Sequence, residues 1–283
     1  MKPKIAVTLC KESGVGKEIL EKSYNTVVFK KADITLFTNI KKPFPGKINF
    51  IKENSQKVIE KAIQSCLKKE NQALLTFPTT KEDLGGVGHT EILATQTNSK
   101  PTMFFTSPHL KVALVTTHIA LKNVASQLTQ EKIITTIENT HRGLQKYFGI
   151  KNPLLYLCGL NPHCGEGGLF GNEEEKTLKP TLSLTQKKGI KIFGPFSPDT
   201  IFFKALENKA HAVISLYHDQ GLIPLKTLSF FDSCGVTLGL PFLRTTVDHG
   251  TAPDLIGKNM ANPKSFLYAL KVTLEALKNE SNF

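Results

Sequence analysis

Three histidines in this chain share one local context. Val112-Ala-Leu-Val-Thr-Thr-His118, Leu154-Leu-Tyr-Leu-Cys-Gly-Leu-Asn-Pro-His163 and Ala212-Val-Ile-Ser-Leu-Tyr-His218 each run from an apolar, strand-like stretch into a histidine that opens a polar loop. In an open α/β sheet the carboxyl ends of strands border the crevice where ligands bind. Loops held there by a rigid sheet carry chemistry disproportionately often. Three neutral imidazoles with open positions for water or substrate make a catalytic divalent-metal site. The alternative at each position is an ordinary hydrogen-bonded loop histidine. His163 lies in Gly159-Leu-Asn-Pro-His-Cys-Gly-Glu-Gly-Gly168, whose glycines suit backbone that approaches a ligand or needs positive φ.

A second group of residues suits an anion. Gly88-His89-Thr90-Glu91 precedes a helical stretch, Ile92 to Gln96. A helix N-terminus offers free N–H groups and the positive end of the dipole to phosphate, although Thr90 also reads as an ordinary N-cap. Lys226 and Arg244 follow apolar runs after His218 and could neutralise a phosphate or carboxylate, Arg244 in bidentate fashion. Glu12-Ser-Gly-Val-Gly-Lys-Glu18 lacks the spacing and the Ser/Thr of a phosphate loop. No GxGxxG occurs, so the Rossmann dinucleotide fingerprint is absent.

The elements that must position these residues alternate. Strands are predicted at 4–9, 26–29, 34–37, 73–77, 103–106, 112–116, 154–158, 191–193, 212–216 and 236–238. Helices are predicted at 16–22, 56–68, 127–148, 173–188, 199–207 and 263–277. The alternation argues for α/β architecture. With 283 residues, 40% of them hydrophobic, the chain can bury a sizeable core, which excludes overall disorder. No apolar run is long enough to span a bilayer, and Ile5–Leu9 is too short for a signal-peptide core. A cytoplasmic location is the expectation. Five cysteines without CxxC spacing argue against a disulfide framework or a zinc knuckle. The formal charge of +12 comes from lysines scattered in ones and twos without interleaved aromatics. No nucleic-acid face is expected from that pattern.

Five segments together resemble one family. They are the Val-Thr-Thr-His118 end, the Gly159–Gly168 loop, Gly194-Pro-Phe-Ser-Pro-Asp-Thr200, Tyr217-His-Asp-Gln-Gly221 and Thr237-Leu-Gly-Leu-Pro-Phe-Leu-Arg-Thr-Thr-Val-Asp-His-Gly-Thr251. Their order and spacing, from about Gly88 to Asn262, resemble the 4-hydroxythreonine-4-phosphate dehydrogenase family of pyridoxal phosphate biosynthesis. The resemblance implies an isocitrate/isopropylmalate-dehydrogenase-like α/β fold: two α/β domains with a cleft between them. The first would be residues 1–120 with 245–283, the second 121–244. It also implies a homodimer with the active site at the subunit interface.

By the same resemblance, metal ligands fall on His118, His163 and His218, and substrate contacts on His89, Thr90, Lys226 and Arg244. His249-Gly250-Thr251-Ala-Pro-Asp254, with Gly257 and Asn262, looks like the adenosine-binding loop of isopropylmalate and isocitrate dehydrogenases. The implied reaction is an NAD- or NADP-dependent oxidation of 4-phosphohydroxy-L-threonine to 2-amino-3-oxo-4-phosphooxybutanoate. That product decarboxylates to 3-amino-2-oxopropyl phosphate. One divalent metal per site assists, with zinc, cobalt, nickel, magnesium and manganese all compatible with the ligand set. Asp219 would accept a proton or orient the neighbouring imidazole, and Lys226 joins it in the catalytic set.

Two departures bear on the substrate. The family's opening Gly-Asp-Pro-Ala-Gly-Ile-Gly-Pro-Glu is matched here by Leu9-Cys-Lys-Glu-Ser-Gly-Val-Gly-Lys-Glu18. The asparagine expected nine residues before Arg244 is Gly235. Alternatives are therefore a related dehydrogenase of threonate or erythronate 4-phosphate, or a ligand-binding relative without redox activity.

Overall fold

The computed structural model describes residues 2–10, 14–40, 48–80 and 84–283. In chain order the elements are β1 (Lys4–Leu9), α1 (Gly16–Ser23), β2 (Asp33–Thr38), β3 (Asn49–Lys52), α2 (Ser55–Leu67), β4 (Ala73–Thr76), α3 (His89–Thr97), β5 (Thr102–Thr106) and β6 (Lys111–Leu114). There follow α4 (Val124–Gln127), α5 (Gln130–Phe148), β7 (Leu155–Cys158), α6 (Lys179–Lys187), β8 (Ile192–Phe196), α7 (Ile201–Glu207), β9 (Ala212–Ser215), α8 (His218–Leu228), β10 (Cys234–Leu238), β11 (Leu243–Val247) and α9 (Lys264–Glu280). No helix among the described residues is long and apolar enough to cross a membrane.

The chain forms two compact units. The first comprises Met1–Pro101 and Phe231–Asn282, the second Thr102–Phe230 with Phe283. In the first unit the strand order is β3-β2-β1-β4-β11-β10. All neighbours there are parallel except β10 and β11. Its core gathers Ala6, Phe37, Ile59, Ile63, Leu74 and Leu93, and Phe77 stacks on Phe266 of α9 at 5.1 Å. In the second unit the order is β5-β6-β9-β7-β8, with only β5 and β6 antiparallel. Its core joins Val112, Leu114, Tyr156, Val213, Leu222 and Leu225. Strands covered on both faces read as apolar runs, which is why β1, β4, β7 and β9 were legible.

Local chemistry explains the helices. Asn54 accepts the Lys57 N–H to cap α2, and Thr129 accepts that of Lys132 to cap α5. Gly149 closes α5 in the left-handed conformation. Ile133, Ile137 and Leu144 bury the apolar stripe of α5.

Three expectations are corrected. Residues 26–29 form a turn entering a single 3-10 turn and not a strand. The Thr26 hydroxyl donates to the Ser23 carbonyl and accepts the Phe29 N–H, so a side-chain turn displaces extended backbone. β3 and β11 were not expected, because β3 is exposed along its length and β11 carries Arg244, Thr245 and Thr246 inward. His218 opens a helix, α8, and not a polar loop.

Candidate active site

β6, β7 and β9 lie side by side and parallel around β9, so their carboxyl ends share one edge of the second unit. His118 follows β6, His163 follows β7, and His218 is the first residue of α8 after β9. The rings of His118 and His218 lie 5.7 Å apart, centroid to centroid. His218 Nδ1 is 2.6 Å from Asp219 Oδ1. That contact leaves Nε2 as the atom free to ligate, the usual way a carboxylate orients a metal-binding imidazole.

His163 stands differently. It is exposed and lies in an unusual turn in which His163, Cys164, Gly165, Glu166 and Gly167 are all left-handed, with φ of 50°, 56°, 79°, 42° and 67°. Only glycine adopts this conformation without cost, so the turn must be held by its surroundings. Among the described residues, no three His, Cys, Asp or Glu side chains are grouped closely enough to hold a metal ion. The donor pair His118 and His218 fits two positions of a divalent ion, and the third is not closed by the described residues of this chain.

Of the residues expected to meet an anion in the first unit, Arg244 is buried, and His89 and Thr90 are half-buried. Arg244, on β11, is 5% exposed. Its guanidinium donates to Thr237 Oγ1 at 2.9 Å and Thr76 Oγ1 at 2.6 Å, while its Nε has no partner. No carboxylate pairs with it among the described residues. Burial alone pulls its pKa to about 10. A buried charge without a counterion costs several kcal/mol unless a ligand supplies one. His89 opens α3, and its imidazole is driven down to about 3, first by burial and second by Arg244. Gly88 is the N-cap of α3 and no side chain among the described residues caps it, which leaves the first-turn N–H groups of His89 and Thr90 to an anion. Thr90 is therefore not the cap.

His89 has a measurable consequence. It stays neutral in the folded protein and protonates near pH 6.5 in the unfolded chain, so unfolding takes up a proton between about pH 6.5 and 3. Stability from this source is complete above that window and falls as pH drops through it. Urea unfolding near pH 5 is expected to take up one proton fewer in His89→Asn than in the wild type. Equal pH slopes for the two proteins would refute this.

The sequence model described as pyridoxal phosphate biosynthetic protein PdxA matches residues 20–273. The chain belongs to the PdxA family. It is 43% identical over 225 residues to the 4-hydroxythreonine-4-phosphate dehydrogenase of Geobacter metallireducens, covering 77% of this chain and 66% of that protein. It is 40% identical over 223 residues to the D-threonate 4-phosphate dehydrogenase of Pectobacterium atrosepticum, covering 77% and 68%. The chain thus spans about two thirds of the length of these curated relatives. The crystal structure of 4-hydroxythreonine-4-phosphate dehydrogenase from Klebsiella pneumoniae superposes with a TM-score of 0.83 at 32% identity, covering 98% of this chain and 99% of that one. An isocitrate dehydrogenase from Methylococcus capsulatus shares the fold, at 13% identity and a TM-score of 0.57, covering 99% of this chain and 87% of that one.

Within this PdxA-family chain, the remaining expected site residues are distributed as follows. Lys226 is half-buried near the end of α8 with Nζ 5.9 Å from the Phe230 ring. Gly235 lies in β10 opposite Thr246, on the same face as Thr237 and Arg244. His249 Nδ1 lies 2.8 Å from the Gly250 carbonyl, Asp254 is exposed, and Asn262 Oδ1 accepts the Lys264 N–H at the start of α9. Thr251 contributes its carbonyl to Val15 N–H at 3.1 Å. Gly14 is left-handed, and a Cβ there would lie 1.8 Å from that carbonyl oxygen.

Beside this loop is a cavity of about 580 Å³ lined by residues that include Val15, Glu18, Ile40, Ile256 and Asn259. That volume lies in the range of small-molecule sites. The altered N-terminal segment, of which residues 11–13 lie outside the described residues, therefore borders the loop directly. Sequence reasoning missed its brace: Lys22 Nζ donates to the Asn259 and Ala261 carbonyls at 2.9 Å, and Glu18 accepts the Ala261 N–H at 2.7 Å. Only an i, i+4 Glu18–Lys22 pair on α1 hinted at it.

Proposed function

We propose that this chain is an NAD- or NADP-dependent oxidoreductase that oxidises 4-phosphohydroxy-L-threonine in pyridoxal phosphate biosynthesis. The observation that carries the reading is Arg244, buried and without a carboxylate partner among the described residues, beside neutral His89. Together with the open N-terminus of α3 they suit a phosphate dianion. Thr90 and Lys226 complete the substrate contacts, and binding energy from this remote group positions the reacting carbon.

Three histidines, His118, His163 and His218, hold one divalent ion, zinc, cobalt, nickel, magnesium or manganese. When bound, that ion supplies Lewis acidity at the substrate oxygen. Asp219 keeps the His218 ring turned by its 2.6 Å contact. His249, Gly250, Thr251, Asp254 and Asn262 hold the nicotinamide cofactor, with the neighbouring cavity as room for its nucleotide. The protein works in the cytoplasm, in keeping with five cysteines of which none is in a disulfide.

The active form is a homodimer whose partner supplies the third imidazole. Two features support this. His163 does not close a triad with His118 and His218 in its own chain. An apolar groove of about 560 Å³ between α7 and α8 includes Tyr217 and Asp219, which flank His218. It is rimmed by Phe203, 70% exposed, and Ile223, 65% exposed. Apolar surface continuous with a ligand set is the expected face for a second copy.

The test is nicotinamide reduction with 4-phosphohydroxy-L-threonine, NAD or NADP and added divalent metal. Metal-dependent turnover is expected. A second reading, oxidation of threonate or erythronate 4-phosphate, is favoured by Gly235, which offers no side chain at its own position on the Arg244 face of β10. Faster turnover of threonate 4-phosphate, shifted back toward the aminated substrate by Gly235→Asn, would establish that reading. Tight ligand binding without hydride transfer to either substrate would leave a binding-only relative.

A further inference from the structure

We propose that Gln220 is a positioning residue that holds the His218 helix, the His118 loop and the His163 loop in one register. The inference rests on the reading of these histidines as metal ligands and gives the hydrogen-bond clamp behind them. Gln220 is 7% exposed and occupies the third position of α8. Its Oε1 accepts the Leu216 N–H at 2.7 Å, and its Nε2 donates to the Gly159 carbonyl at 2.9 Å. Leu216 lies two residues before His218, and Gly159 four before His163. The third strand end joins the same point. The Leu216 carbonyl accepts both the Thr116 N–H at 3.1 Å and the Thr116 hydroxyl at 2.7 Å, and Thr116 lies two residues before His118.

The loop beyond Gly159 is held from its other side by Glu174, 1% exposed. Its carboxylate accepts the Leu160 and Asn161 N–H groups at 2.8 Å each and the Asn161 side-chain amide at 2.9 Å. Gln220 and Glu174 thus bracket the start of the left-handed turn that carries His163.

The residue type matters. A glutamate or a glutamine at the third helical position reaches back to the preceding backbone equally well. Only glutamine also offers the donor that the Gly159 carbonyl requires. A glutamate would keep the Leu216 contact and set a carboxylate against that carbonyl, leaving a buried acceptor unsatisfied.

The test is Co²⁺ binding by competition with a chelating dye, combined with amide hydrogen exchange. Gln220→Glu is expected to weaken Co²⁺ binding roughly 10–100-fold, the usual cost of losing an outer-sphere support. Exchange should quicken across residues 159–171 while the Leu216 amide stays protected. In a His163→Ala background the same substitution should cost no further affinity, because Gln220 acts through that loop. Losses that multiply in the double variant, or an unchanged affinity with unchanged loop exchange, would overturn the proposal. Should Gln220→Glu not fold, Glu174→Gln loosens the same loop from its opposite side and is held to the same outcomes. If His163→Ala itself leaves Co²⁺ affinity intact, the three-histidine reading fails, and loop exchange alone then decides whether Gln220 holds the turn.

Discussion

Mixing the His163→Ala and His218→Ala proteins is expected to restore metal-dependent turnover to about a quarter of the wild-type level, although each variant alone is inactive. The arithmetic follows from a two-fold dimer whose sites take His118 and His218 from one protomer and His163 from the other. Random reassembly makes about half the dimers mixed, and each mixed dimer has one intact ligand set of two. Each single variant lacks a ligand at every site. Its loss of metal affinity should exceed the 10–100-fold typical of outer-sphere changes. The geometry motivates the test: the His118 and His218 rings are 5.7 Å apart, while His163 is exposed on its own left-handed turn. A mixture shown by native mass spectrometry to contain mixed dimers, yet inactive, would place His163 and His218 at one site from the same protomer and overturn the shared arrangement. A monomer in solution would remove the shared-site reading altogether.

Replacing Arg244 with methionine should lower kcat/KM by roughly 10²–10³-fold while leaving the ligand-free protein no less stable. A partner of a buried charge pair is worth about 2–5 kcal/mol to binding when it is lost. The folded protein gains in exchange, because it no longer buries a guanidinium whose hydrogen-bond partners among the described residues are the hydroxyls of Thr76 and Thr237. Sulfate or phosphate should raise the melting temperature of the wild type by mass action and leave Arg244→Met unmoved. An anion-dependent shift that survives in the variant would place the phosphate elsewhere. Arg244→Lys should not rescue, since an ammonium lacks the planar fork that reaches both threonines.

Much of the architecture was readable because strands enclosed on both faces must be apolar throughout. β1, β4, β7 and β9 stand out for that reason, and so do the histidines that follow β6, β7 and β9. β11 was hidden because Arg244, Thr245 and Thr246 mimic a surface loop in a linear reading. The two threonines are tolerated inside because each hydroxyl finds a partner: Thr245 with Thr273 of α9, Thr246 with the Thr76 carbonyl of β4. The helical start at His218 was hidden because Tyr217, a poor capping residue, precedes it. Gln220 instead reaches back past the helix start to accept the Leu216 N–H.

The amino-acid sequence by itself determined the α/β class, the family and the residue types available for metal and phosphate, since those follow from periodicity, composition and five motifs in order. Tertiary structure alone decided that Arg244 is buried without a counterion among the described residues and that His89 is neutral. It alone decided that His118 meets His218 without His163, and that Gln220 ties the ends of β7 and β9 to one another. Each of these depends on the distance and dielectric between groups far apart in the chain, and neither quantity is written in local spacing.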